Sequence, residues 1–230
     1  MNEYLLSLLS PHTKEEKDIL KGEKIDPEIF SDKALSFVTN DRINRMGQQI
    51  VLSQHYRFTA LPSHTHEYIE LCYVCRGKLV HRINNDVEIT VKAGELLLLN
   101  RHAYHSIDIC TEEDIAVNFL VLPSFFDTTM TIIGQDNALG RFLINAVSEK
   151  NKDISFLYFR VADIPTIQNL VENMIYSLLE KGTSSVRQEK FTMGLLFLEL
   201  LSYSDRMTVK SYSGNENLVE NVENLEKKNH

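Results

Sequence analysis

The sequence predicts a mainly β protein with α structure, an antiparallel sandwich or barrel followed by an antiparallel helical hairpin. Three observations lead there. From about 34 to 123 the apolar residues fall into short β-type runs separated by turn formers, with no helical period between them. Beyond Pro123 the period changes to steps of three and four. Finally, 230 residues with 43% apolar and 24% charged content are ordinary globular usage and enough chain to bury a sizeable core.

The opening segment, 1–33, reads as a short helical arm, with Leu5, Leu8, Leu9, Ile19 and Leu20 as its apolar positions and Ser10-Pro11 as an interruption. The β region, 34–160, holds strands expected at 49–56, 68–75, 78–83, 87–91, 95–99, 105–109 and 115–122. Arg76-Gly77, Asn84-Asn85-Asp86 and Ala93-Gly94 supply the reversals. In the hairpin, 161–210, Ile164, Ile167, Leu170, Val171, Met174 and Ile175 recur at helical spacing behind Asp163-Ile164-Pro165, an N-cap followed by an early proline. Gly182-Thr183-Ser184-Ser185 ends that helix, and a second is expected over 186–207. It is apolar nearly all round, so more than one side must be covered. A homodimer is the expected cover, with Met193, Leu196 and Leu200 at the contact. The last stretch, 211–230, reads as a linker or the start of a further domain, with Leu218, Val222 and Leu225 in a helical stripe.

Composition narrows the function. A net charge of −8 gives no electrostatic support for nucleic acid or an anionic membrane. The helix expected over 186–207 balances Arg187, Lys190 and Arg206 against Glu189, Glu199 and Asp205, so it is built for burial rather than for a DNA groove. Met1-Asn2-Glu3 lacks the positive start of an export signal, and the apolar runs are far short of a membrane span of about 20 residues. Three scattered cysteines make no disulfide framework, so a cytoplasmic protein is expected. Cys72 and Cys75 sit mid-strand, where a separation of three puts the thiols on opposite faces, as core residues rather than a redox pair.

Chemistry concentrates in His64, His66, Glu70 and His105. In one extended strand the first three share a face, and three imidazoles with a carboxylate suit a first-row divalent metal. The same residues suit a metal-free pocket wall, and Tyr68 faces with them. Tyr56, Arg57, Arg82, Arg101 and Tyr104 could each serve a ligand but are more readily scaffold, and His55, His81 and His102 read as surface or satisfied positions.

The run His64-Thr65-His66, Glu70, Gly77 resembles the first cupin motif, and Gly94 with His105 resembles the second. Phe58 stands where the first motif begins with glycine. Asn100, His102 and Ile109 depart from the second. The resemblance implies a cupin-like β-barrel (double-stranded β-helix) with its ligand cavity inside. Over about 49 to 207, the string Glu70-Leu71-Cys72-Tyr73-Val74-Cys75-Arg76-Gly77, the Ala-Gly-Glu-Leu-Leu-Leu-Leu-Asn run and the hairpin are similar to the sensor domain of AraC-type transcription regulators.

That resemblance implies a small-molecule effector, with a sugar as one candidate, held by His64, His66, Tyr68, Glu70 and His105. It implies DNA contact only through a helix-turn-helix domain that this chain does not contain, no catalytic residues and no required cofactor. The competing expectation is a metal-dependent cupin enzyme, an oxygenase or isomerase, with His64, His66, Glu70 and His105 as ligands of a divalent transition metal.

Overall fold

A computed structural model describes residues 1–23, 37–38, 43, 48–84, 86–147, 154–180, 185–211 and 219–221. In chain order its strands are β1 (Phe37–Val38), β2 (Ile50–Gln54), β3 (Leu61–His66), β4 (Ile69–Arg76), β5 (Lys78–Ile83), β6 (Val87–Lys92), β7 (Leu96–Leu99), β8 (His105–Ile107), β9 (Ile115–Val121), β10 (Ile154–Phe159), β11 (Met207–Ser211) and β12 (Val219–Asn221). Its helices are α1 (Glu3–Leu9), α2 (Lys14–Leu20), α3 (Phe126–Ile133), α4 (Ala138–Val147), α5 (Pro165–Leu179) and α6 (Val186–Ser202). The strands form a five-stranded sheet, β1-β3-β8-β5-β6, and a seven-stranded sheet, β12-β11-β10-β7-β4-β9-β2, antiparallel throughout except β1 on β3. The chain is thus a mainly β, cupin-like barrel with helices.

The two sheets read differently in sequence because they are covered differently. β4 is buried along nearly its whole length: Ile69, Leu71, Tyr73 and Cys75 pack outward with the helices, while Glu70, Cys72 and Val74 point between the sheets. Burial on both faces removes the polar alternation. In β5, by contrast, Leu79, His81 and Ile83 are buried and Lys78 and Arg82 are exposed, the period-two pattern of a sheet with one wet face. The split of Cys72 and Cys75 between the two cores agrees with the expected parity, and burial pushes the Cys75 thiol up to about 12.

Two backbone positions connect motif to geometry. Gly77 turns β4 into β5 at φ 74, where a Cβ would strike Asp114 and lie 2.8 Å from the Glu113 carbonyl. Phe58 occupies the left-handed region at φ 69 without being glycine. Its ring meets His12 edge-on at 5.3 Å and lies under the Arg57 guanidinium at 5.8 Å, so arm contacts hold a conformation that glycine would adopt without strain.

The hairpin is not a terminal appendage. α6 ends at Ser202, short of the expected Met207, and the chain returns as β11 to extend the seven-stranded sheet. The helices α3 and α4 and the strand β10 are further elements that the sequence pattern does not mark. Val219–Asn221 pairs with β11 as a strand where a helical stripe was expected; Leu218, Val222 and Leu225 lie outside the described residues. The dimer contact needs correction too. Met193, Leu196 and Leu200 are each 0% exposed, packed into the chain's own helix-sheet core, whereas Val186, Phe191, Leu195 and Leu198 are exposed apolar residues of α6. No described helix is long and apolar enough to cross a membrane.

Candidate functional site: the barrel interior

His64, His66 and Glu70 do not share one strand. β3 ends at His66, residues 67 and 68 bend, and β4 starts at Ile69, so the imidazoles come from the five-stranded sheet and the carboxylate from the seven-stranded one. They converge across the barrel interior instead of along a wall. His105 enters from β8, directly opposite His64 in register.

The distances define a compact cluster. Glu70 lies 3.9 Å from His66 Nε2 and 3.8 Å from His105 Nε2, and the His105 ring is 4.3 Å from that of His64 and 5.4 Å from that of His66. Tyr68 stacks on His66 at 4.4 Å and 2°, and its carbonyl accepts a hydrogen bond from His66 Nδ1 at 2.7 Å. That bond leaves the Nε2 lone pair of His66 aimed at Glu70. His64 Nδ1 is likewise occupied by the Pro62 carbonyl at 2.9 Å.

Burial sets the charges. Desolvation lowers His66 to about 3, helped by neighbouring His64, and it raises Glu70 to about 8. His105 falls well below the ordinary imidazole range, first through burial and then through the surrounding imidazoles. His66, Glu70 and His105 offer ligand atoms that all lie within 4.8 Å of one another. His66 Nε2 and Glu70 Oε1 are buried and have no hydrogen-bond partner among the described residues. Two imidazoles and a carboxylate that bring ligand atoms this close fit a first-row divalent ion. His64 lies outside this group.

Two further histidines lie near this group. His55 and His81, expected at the surface or satisfied, are 4% and 0% exposed, and neither ring nitrogen of either has a hydrogen-bond partner among the described residues. His81 shares the inward parity of Leu79 and Ile83, the signal that could have found it. Its ring stands 5.8 Å from that of His105. His102 is satisfied, accepting from Arg101 at 3.4 Å. Asn100 donates to the Ile154 carbonyl and accepts from the His102 amide, tying β7 to β10. Arg82 is exposed and paired with Glu88 and Asp108, and Tyr104 is exposed.

Arg57 serves the fold. Its Nε and Nη2 bond the Glu16 carboxylate at 2.7 and 2.8 Å, and Nη2 also reaches the Ser10 carbonyl, so the arm is fastened to the barrel. Burial alone would raise Glu16; the bonds from Arg57 and from backbone amides outweigh it and hold the carboxyl below its ordinary value.

Residues 58–123 match the family model described as the cupin domain. No curated protein sequence matches the chain. Similar solved structures include ToxT from Vibrio cholerae, 13% identical over 78% of this chain and 64% of that one, with a TM-score of 0.45. ToxT with an unsaturated fatty acid bound is 15% identical over 67% of this chain and 54% of that one, at 0.44. KdgF from Halomonas sp. is 15% identical over 31% of this chain and 67% of that one, at 0.28. The chain therefore spans less than two thirds of the ToxT chains it matches.

Proposed function

We propose that the barrel is the ligand-sensing domain of a cytoplasmic transcription regulator of the AraC type, binding a small-molecule effector among His64, His66, Tyr68, Glu70 and His105. The observation that carries this reading is the position of Arg57, two residues beyond the buried His55 and clamped to Glu16 of the arm. An effector that moves the end of β2 moves Arg57 and alters the arm. It can do so only by its difference in affinity for the two arm arrangements. DNA would be contacted by residues outside this chain. Pairing with a second copy through the hairpin would use the exposed Phe191, Leu195 and Leu198.

The His66, Glu70 and His105 group favours a second reading, a metal-dependent cupin enzyme. Those three residues would hold the ion, which when bound supplies a Lewis acid or oxygen-activating centre. Hydrogen exchange of residues 3–20, measured with monosaccharides and short carboxylic acids on wild type and His66→Phe, separates the two. Binding that is lost in His66→Phe and changes arm exchange supports the sensor. Binding that leaves the arm unchanged, with turnover that follows iron or cobalt loading, overturns it in favour of the enzyme.

A further inference from the structure

His55 and His81 are buried, point into the barrel and have both ring nitrogens unpartnered, although neither belongs to the group of His66, Glu70 and His105. They lie close enough to sense each other and His64 electrostatically. A buried imidazole with no protein partner is a standing cost, and such groups are what a ligand's hydrogen bonds would satisfy. Each neutral ring presents one N–H donor and one lone pair. Among the described residues Arg57 is the only buried arginine or lysine, and Glu16 occupies it outside the chamber. A carboxylate or phosphate entering here would meet Glu70 and, among the described residues, no fixed cation.

We infer that His55 and His81 form the far wall of the chamber and select an uncharged ligand, one with hydroxyl or amide groups that both donate and accept hydrogen bonds, over an anionic one. The inference rests on the reading of the barrel as a ligand chamber. It assigns specificity to residues outside both sequence motifs. A structural role for these imidazoles is distinguishable, because a residue that stabilises the fold loses stability when replaced, whereas an unsatisfied binding residue gains it.

The experiment uses the full chain and two matched probe pairs, glucose with glucuronate and benzamide with benzoate, titrated calorimetrically at millimolar concentration. Wild type should bind the uncharged member of at least one pair about tenfold more tightly than its anion. His81→Phe should remain folded, with Tm raised by a few degrees, and lose that binding about tenfold, while His81→Gln, which keeps a donor and an acceptor, should retain most of it. Cobalt uptake, read by its visible absorption, should be unchanged in His81→Phe. Tighter binding of the anions, with loss on replacing His66, would overturn the selectivity and leave the chamber reading standing. Binding of no probe, together with a lowered Tm in His81→Phe, would overturn both.

Discussion

Arg57 and His55 are separated by one residue and both are buried, yet all three guanidinium nitrogens of Arg57 are engaged while neither ring nitrogen of His55 has a partner. The Arg57–Glu16 pair is a finished structural contact: bidentate, reinforced by the Arg57 amide to Glu16 at 3.0 Å, and backed by the Thr13 capping box. The cluster around Glu70 is unfinished, with polar atoms that the fold buries and does not satisfy. The difference separates what holds this chain together from what it keeps for a ligand or ion.

The largest effect should come from breaking the finished pair. Arg57→Ala strands a buried carboxylate and should cost about 3–5 kcal/mol in urea unfolding, and the double change Arg57→Met with Glu16→Leu should recover most of it. A double variant as unstable as the single would erase the distinction. The opposite sign is expected in the unfinished cluster: Glu70→Leu should raise stability by about 1–2 kcal/mol in the metal-free protein, since it removes an unsatisfied buried group. A loss of stability there would show that Glu70 has a structural partner.

The pH profile sharpens the same contrast. His55 falls to about 4 and His66 and His81 to about 3, from 6.5. Unfolding therefore takes up protons, so their contribution is complete above 6.5 and is lost as pH falls. Glu70 rises from 4.5 to about 8, so its contribution is complete below 4.5 and is lost as pH rises towards 8. Several imidazoles oppose one carboxyl, so metal-free stability should peak near pH 6.5, with the acid side steeper. Glu70→Gln should flatten the alkaline side of the urea-midpoint profile and steepen the rise between pH 4.5 and 6.5, where Glu70 no longer opposes the imidazoles. Glu16, held low, loses its contribution only as pH drops below 4.5.

The smallest effect concerns Phe58. Phe58→Gly relieves the left-handed backbone but forfeits the His12 contact, so net stability should move by no more than about 1 kcal/mol. Limited proteolysis should nevertheless cleave the arm faster. Unchanged cleavage would mean that Arg57 alone fastens it.

Much of this was legible before folding. The β5 and β6 hairpin, the β4 parity that separates Cys72 from Cys75, and α5 behind its proline all carry local signals of period, turn residue or cap. β10 and β11 do not: short runs such as Ile154–Phe159 owe their state to neighbours far along the chain, here β7 on one side and β11 on the other. The site divides in the same way. The spacing of His64, His66, Glu70 and His105 marked a cluster, but the turn at 67–68 changed its geometry from one strand's wall to a meeting of two sheets.

By itself, then, the sequence determined the mainly β class, the hairpin's existence and the residue types of the cluster, because periodicity and turn chemistry are local. Only the tertiary structure decided that Met193, Leu196 and Leu200 face inward, that Arg57 fastens the arm, and that His55 and His81 are buried beside the other imidazoles. Burial and partnership are relations between distant segments, and no local pattern encodes which face of a strand will meet which residue across a barrel.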